Sequence, residues 1–330
     1  MNEQKKKIVL SGVRPTGPQH LGNLVGALKN WLRLQDIYRC FYAVAGWHAL
    51  SSGYMNSASI KGNTLEVALD WLGIGLDPEK CVMFLQSEVK EHAELHLILS
   101  MVTPLPWLER VPTFKEMQQE IQDKDLNTYG FLGYPVLQAA DIVIYKANFV
   151  PVGEDQAAHL ELTREIIRRF NRIFGPIFPE PQTLLTEIPR LAGTDGRKMS
   201  KSFGNAILIK DPPEVIRRKI MPMITDTRRM RRSDPGEPDD CPVFTLHKAF
   251  VPREERDEIA QGCRTAGIGC RECKNAMLEH LIRTLEPIQE RRRAFEKNPE
   301  AVWDILEEGN KKARRVAHET MVEVRTALGF

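Results

Sequence analysis

Lys198-Met199-Ser200-Lys201-Ser202 places two ammonium groups and two hydroxyls on five consecutive residues. A lysine ammonium is a compact, hydrated point charge on a flexible stem, suited to following a phosphate that moves during a reaction. Gly193 and Gly196 precede the stretch and Gly204-Asn205 follow it, so it reads as a mobile loop able to hold an anion. A second anion site is expected across Ser11-Gly12-Val13-Arg14-Pro15-Thr16-Gly17-Pro18-Gln19-His20-Leu21-Gly22-Asn23. Its glycines and prolines keep helix from starting until about Gly22. A loop therefore opens onto a helix N-terminus, where unpaired N–H groups and the helix dipole both favour phosphate. The segment matches neither the dinucleotide glycine fingerprint nor the Walker A pattern. A tight turn with a satisfied histidine ring is the plainer alternative.

Four of the six cysteines, Cys241, Cys263, Cys270 and Cys273, are separated by 21, 6 and 2 residues. The last pair makes a chelating turn, and four thiolates complete a tetrahedral set for zinc or for an iron–sulfur cluster. Spacing alone does not choose between them. Cys40 and Cys81 fall in apolar strand-like runs and read as core thiols. Asp141 is a carboxylate on an apolar helical stretch beside Ile142, Val143 and Ile144. Such a residue is a specific acceptor or is paired with a neighbouring cation. Tyr134 and Gln138 stand seven and three residues earlier, on roughly the same face. Arg228, Arg229, Arg231 and Arg232, and later Arg291 to Arg293, could touch phosphates, though each run alone also reads as a solvated helix face.

These residues need elements to position them. Lys7 to Leu10, Cys40 to Ala45, Val82 to Gln86 and Phe149 to Val152 have the short apolar pattern of buried strands. Between them, Asn23 to Tyr38, Lys61 to Leu72, Glu91 to Met101, Tyr134 to Ala147 and Gln156 to Phe174 have helical periodicity. That alternation predicts an α/β fold, a Rossmann-like doubly wound parallel sheet with helices on both faces. From about Pro212 the strand-like runs stop. Arg253 to Cys263, Lys274 to Lys297 and Pro299 to Leu328 are helical, and Arg231 to Pro242 is a loop rich in Asp, Pro and Gly. The expected division is a catalytic domain over 1–205 and a mostly helical domain over 206–330.

Bulk properties narrow the function. The 330 residues are 42% hydrophobic and 27% charged, ordinary for a soluble globular chain with a sizeable core. The net charge is only +2, so a polyanionic partner must be held by local patches. Apolar runs fall short of the ~18 residues that cross a bilayer. No membrane association is expected, and the basic start, Met1 to Lys7, leads into a strand rather than a signal-peptide core. A cytoplasmic setting follows, in which six cysteines argue for reduced thiols or metal ligands over disulfides.

The lysine pentapeptide resembles the KMSKS loop of class I aminoacyl-tRNA synthetases, and His20-Leu21-Gly22-Asn23 resembles their HIGH motif in the form HxGN. The two occur in the expected order. Gly153-Glu154-Asp155-Gln156-Ala157-Ala158-His159 with Glu161 to Asn171, Tyr134 to Asp141, and Leu108-Glu109-Arg110 with Phe114-Lys115 closely resemble the tryptophanyl-tRNA synthetase family. The resemblance runs from Ser11 to the last helix. It implies that Mg²⁺-ATP and L-tryptophan form tryptophanyl-adenylate, which then charges tRNA(Trp). It further implies that His20, Lys198 and Lys201 stabilise the polyphosphate. ATP would be held by Arg14, Pro15, Thr16, Gly22, Asn23, Gly153, Glu154, Asp155, Met199, Ser200 and Ser202 together with those lysines. Tryptophan would be held by Gly12, Tyr134, Gln138, Asp141 and Gln156, with Asp141 accepting the indole N–H. Gln138 stands where methionine is common in the family, and Arg14 where glutamine is common. Glutamine at 138 is similar to tyrosyl enzymes, so tyrosine is the second candidate substrate, and a non-catalytic, metal-stabilised RNA-binding paralogue is the third reading. A subgroup of the family carries a near-identical cysteine pattern, which implies a structural [4Fe–4S] cluster, with Zn²⁺ as the alternative, in a helical tRNA-binding domain. The family also implies a homodimer.

Overall fold

Residues 6–111, 128–153, 157–185 and 191–330 are described by the structure, a computed structural model. Five strands form one parallel sheet in the order β3-β2-β1-β4-β5: β1 Ile8–Val13, β2 Arg39–Val44, β3 Cys81–Leu85, β4 Phe149–Val152 and β5 Gln182–Leu185. Central β2 is buried along almost its whole length, as expected of a parallel strand covered on both faces. Strand order reverses between β1 and β4, so the carboxyl ends of these two strands diverge and leave a crevice.

Helix α1 follows β1 and is built from Leu21–Asn23, a π segment Leu24–Leu28 and Lys29–Ile37. Then come α2 Gly46–Gly53, α3 Ile60–Ile74, α4 Glu91–Val102, α5 Leu105–Glu109, α6 Tyr129–Leu132, α7 Tyr134–Val143 and α8 Ala157–Phe174. The C-terminal part supplies α9 Pro213–Ile220, α10 Pro242–Phe250, α11 Arg253–Arg264, α12 Cys270–Glu296 and α13 Pro299–Leu328. Four strands fall within a residue of their expected positions, except that β1 continues three residues past Leu10 to Val13. Sequence periodicity misses β5, where polar Gln182 and Thr183 leave only two apolar residues, and the short helices α2 and α10.

The long C-terminal helices pack directly on the sheet layers. Met277, Leu278, Leu281 and Leu285 of α12 and Val302 and Leu306 of α13 are at most 1% exposed and share one apolar cluster with Val9, Trp31, Tyr42 and Trp71. Ala313, Ala317, Met321 and Val324 of α13 join the cluster on the other face of the sheet. Edge strand β3 is covered by α13, where the Asn310 side chain accepts the Leu85 N–H at 2.8 Å. Gly309 makes this approach possible, since a Cβ there would run into the Met83 carbonyl oxygen.

Candidate active site

At the carboxyl end of β1 the chain turns through Arg14 to Pro18 and enters α1 at His20. His20 is the N-cap: its Nδ1 accepts the Asn23 N–H at 3.3 Å, and its own N–H donates to Asn23 Oδ1 at 3.0 Å. This capping box gives three residues of the HxGN motif local reasons. Gly22 is the third, because a Cβ there would stand 2.8 Å from the imidazole. Burial, then Lys201 and Lys198 nearby, push His20 down to about 4, so its ring is neutral near pH 7. With Nδ1 accepting, the proton sits on Nε2, leaving a donor to offer an oxyanion.

The lysine loop is folded and docked. Met199 N–H donates to Leu191 O at 3.0 Å, and Ala192 bridges Lys198. The Asn205 side chain knits the loop from within, accepting Ser200 N–H at 2.8 Å and donating to Asp195 at 2.7 Å and Lys198 O at 3.1 Å. Gly193 is needed for clearance, since a Cβ there would overlap the Asn205 amide, whereas Gly196 and Gly204 take positive φ values of 83° and 66°. Only the latter two serve the turn freedom expected of all three. Lys201 Nζ crosses to the other loop and donates to Gly17 O and Pro18 O at 3.1 and 2.9 Å. Met199 is 4% exposed and belongs to the core cluster, so its side chain faces away from any ligand. The Ser200 and Ser202 hydroxyls bond one another at 2.8 Å.

Beside these loops lies a cavity of about 390 Å³, lined by β1, α1, β4 and α7 and predominantly apolar. It sits at the switch between β1 and β4, where doubly wound sheets bind ligands. The π segment of α1 presents Gly26 and Ala27 to it, and Trp31 stacks on Tyr42 at 4.3 Å behind. Of the expected ligand-binding residues, Gly12, Arg14, Tyr134, Gln138, Asp141 and Gly153 line this cavity. Pro15 and Thr16 are not among its walls; Thr16 N–H closes the turn onto Arg14 O at 2.8 Å. Gly12 also has a packing reason, since a Cβ there would stand 2.7 Å from Ala43 O on β2. Glu154, Asp155 and Gln156, and Phe114 and Lys115, lie outside the described residues.

Asp141, 8% exposed, is enclosed by donors. His92 Nδ1 lies 2.6 Å and His48 Nε2 2.9 Å away, and Gln86 Nε2 donates at 2.6 and 2.8 Å. His92 in turn meets Tyr145 OH at 2.7 Å through Nε2. Burial alone would raise the Asp141 carboxyl, but His92 and His48 hold it below the usual carboxylate range. The carboxylate is therefore ionised and aimed, and it needs no cation from Lys or Arg. Sequence reading missed His48, Gln86, His92 and Tyr145, which lie between 4 and 93 residues from Asp141 in the chain and come from separate segments. One signal was available: His92, Leu95 and Leu99 form an inward stripe at helical spacing on α4. Gln138, the departure from the family pattern, places Oε1 3.0 Å from His159 Nδ1, and His159 Nε2 lies 3.1 Å from Tyr134 OH. Glutamine thus holds a histidine that orients Tyr134.

The four cysteines of the helical part come together around one small cavity between α10, α11 and the first turn of α12, with Asp226, Arg229 and Lys274 beside them. Among the described residues, no three His, Cys, Asp or Glu side chains converge as a metal site. Burial first, then the other three thiols, pushes Cys273 up to about 12, so a metal would have to displace its proton. His247 Nε2 lies 3.1 Å from Cys273 Sγ, Arg229 Nη1 lies 3.8 Å from Cys263 Sγ, and a Cβ on Gly236 would stand 2.8 Å from Cys263 Sγ. The four thiols share one cavity, but among the described residues they do not come together as a metal-holding group, so this geometry does not bear out the expected bound centre. Part of each arginine run is engaged in the fold, while Arg231 and Arg293 remain exposed. Arg228 pairs with Asp226 and Asp240, and Arg229 holds Arg232 O and Ile268 O. Arg291 caps α3 at Gly73 O, and Arg292 is buried.

The family profile described as "tRNA synthetases class I (W and Y)" matches residues 1–286. The tryptophan–tRNA ligase of Thermotoga maritima is 53% identical over 324 residues, covering 98% of this chain and 99% of that protein. That of Aquifex aeolicus is 43% identical, covering 98% and 99%. Among solved structures, tryptophanyl-tRNA synthetase from Campylobacter jejuni complexed with ADP and tryptophan superposes with a TM-score of 0.87 at 33% identity, covering 98% of this chain and 100% of that one.

Proposed function

Because the chain belongs to the class I tRNA synthetases that serve tryptophan and tyrosine, we infer that it joins L-tryptophan to its cognate tRNA in two steps driven by ATP. In the first, the tryptophan carboxylate attacks the α-phosphorus of Mg²⁺-ATP, the bond to the bridging oxygen breaks, and pyrophosphate leaves. In the second, a hydroxyl of the tRNA's terminal ribose attacks the acyl carbon and AMP departs. Neither step needs a covalent bond to the protein, so catalysis consists of positioning and of stabilising charge on the phosphates.

The observation that carries this reading is the meeting of the two anion loops beside the switch-point cavity, with Lys201 already docked on Gly17 O and Pro18 O. We assign His20 Nε2, Lys198 and Lys201 to the polyphosphate; Lys201 would exchange two carbonyl acceptors for phosphate oxygens. Arg14 at the cavity mouth and the Gly153–Asp155 segment would complete the ATP site. Asp141 would take the indole N–H by sharing an oxygen now bonded to His48 or Gln86, and Tyr134, steadied by His159, would meet the amino-acid end with Gln156. Tryptophan-dependent exchange of labelled pyrophosphate into ATP, run beside tyrosine, tests the assignment. Exchange with tryptophan alone is expected. Exchange with tyrosine would transfer the activity to the runner-up substrate, and none with either would leave an RNA-binding paralogue.

In the finer reading, Cys241, Cys263, Cys270 and Cys273 hold a [4Fe–4S] cluster that pins the 226–241 loop to α11 and α12; its contribution there is structural. Iron and sulfide content with visible absorbance after anaerobic purification supports it, and stoichiometric zinc would replace it. We place the catalytic unit in 1–205 and tRNA anticodon binding in 206–330. The exposed apolar residues Leu97, Met101 and Leu105, 54%, 75% and 59% accessible, suit the contact of a homodimer. Among the described residues no helix is long and apolar enough to cross a membrane, and the cytoplasm, where tRNA is charged, is the compartment we propose.

A further inference from the structure

The His20 turn and the chain leaving the lysine loop share one piece of backbone. Leu21 N–H donates to Ile207 O at 2.9 Å and Ile209 N–H to Gln19 O at 2.9 Å, bracketing a bridge between His20 and Leu208. Any shift of this base moves both loops together. The base is held from beneath by α12, at two points. Gln289 Nε2 donates to Ile209 O at 2.8 Å and Asp211 O at 2.9 Å. One turn on, Arg292 Nη1 lies 2.6 Å from Asp70 Oδ1, and the other Asp70 oxygen accepts the Gln19 N–H at 2.6 Å. All three side chains are buried: Asp70 is 0%, Arg292 2% and Gln289 8% exposed.

Holding α12 against α3 does not require these polar groups. The two helices already touch closely enough that a Cβ on Gly73 would stand 2.9 Å from Arg292 Cβ, and Leu281, Leu285 and Ile288 supply an apolar interface. A buried ion pair adds little to such packing that hydrophobic residues of equal volume would not. What it adds is direction. Asp70 fixes the Pro18–Gln19 peptide, one residue ahead of His20, and Gln289 fixes two carbonyls after the lysine loop.

We propose that Gln289, Arg292 and Asp70 are positioning residues for adenylate formation, clamping the shared base so that Lys198 and Lys201 close on ATP against a stationary His20. The proposal rests on the reading of these two loops as the ATP site. In preorganised sites a displacement of about 1 Å can cost as much as ~100-fold in rate, so a loosened base reaches the chemistry without touching it.

Gln289→Leu removes both donors at nearly constant volume and leaves the ion pair intact. Asp70→Asn keeps an acceptor for Gln19 and discharges the pair. In the full-length protein, each is measured by pyrophosphate exchange per active site, by equilibrium dialysis of labelled tryptophan and by thermal unfolding. We expect kcat/KM for ATP to fall about tenfold or more while tryptophan affinity stays within about twofold. The double variant should lose less than the product of the singles, because both act on one base. Unchanged ATP kinetics in Gln289→Leu overturn the proposal, as does a parallel loss of ATP and tryptophan binding, the mark of a structural role. If Asp70→Asn fails to fold, Gln289→Leu still decides. Lys198→Ala and Lys201→Ala serve as the reference: if they leave exchange intact, the ATP-site reading itself fails; if they abolish it while Gln289→Leu does not, only the clamp fails.

Discussion

Asp141 meets three protein donors and still faces the cavity, which makes it the residue where specificity is most exposed to test. In Asp141→Ala the acceptor is lost and His92, Gln86 and His48 lose a common partner. Discrimination of tryptophan over phenylalanine should fall by about 100-fold or more, since rejection of an analogue depends on a buried acceptor left unpaired. Exchange rates with the two amino acids measure it, and unchanged selectivity would remove Asp141 from the role. The same carboxylate has a pH signature. Its folded-state pKa is depressed, so its stabilisation is present above the ordinary carboxylate value near 4 and is lost only as pH falls below that. His20 is depressed in the opposite chemical sense, to about 4, with the neutral ring favoured in the fold. Its contribution to stability is complete above its unfolded value of about 6.5 and drains away between there and pH 4. Unfolding titrations of wild type and His20→Asn should therefore converge through that window, and a rate limb near pH 6.5 must belong to another group.

Elements explain why some of the site was legible in the sequence and some was not. The capping box at His20 and Asn23, the β1-to-α1 turn and the lysine loop are local, so residue types three or four apart disclose them. Asp141 was legible as a charge on an apolar face. Its partners were not, because His48, Gln86 and His92 come from α2, the turn after β3 and α4, and only the sheet brings them together. Arg292 misled for a similar reason: in a run of three arginines nothing local separates the buried member from its neighbours. Gly309 on α13 is an element-scale case with a sharp outcome. Gly309→Ala must push α13 off β3 at Met83 and strain the Asn310 bond to Leu85. Overpacking of this kind costs about 1–3 kcal/mol, readable as a lower denaturant midpoint with tryptophan affinity retained. A midpoint equal to wild type would mean that α13 is free to slide.

Across the whole molecule, both apolar clusters cross from the sheet to the C-terminal helices, so the functional division proposed near residue 205 is not a division of the core. Trp31, Trp71 and Met83 sit in the same cluster as Met277, Leu281, Leu285 and Leu306, and α13 closes the second cluster through Ala313, Ala317 and Met321. Removing α12 and α13 would expose those faces of the sheet layers, and burial of such side chains stabilises by roughly 1.5–3 kcal/mol each. The two regions should consequently unfold together. Heating or denaturant, followed by far-ultraviolet circular dichroism and by tryptophan fluorescence, is expected to give coincident transitions, and calorimetry a single peak. Two separated transitions would mean that the helical part folds on its own and that the shared clusters contribute little. The same continuity lets α12 act over distance. The helix runs for 27 residues and carries Cys270 and Cys273 in its first turn and Gln289 and Arg292 near its far end, just beyond Pro287, so it links the thiol cavity to the base of the proposed ATP loops. If the proposed cluster braces this helix, Cys273→Ala, which spares every group assigned to ATP, should raise KM for ATP while leaving tryptophan affinity in place. An unchanged KM for ATP in Cys273→Ala would show that the thiol cavity and the proposed ATP loops are mechanically separate.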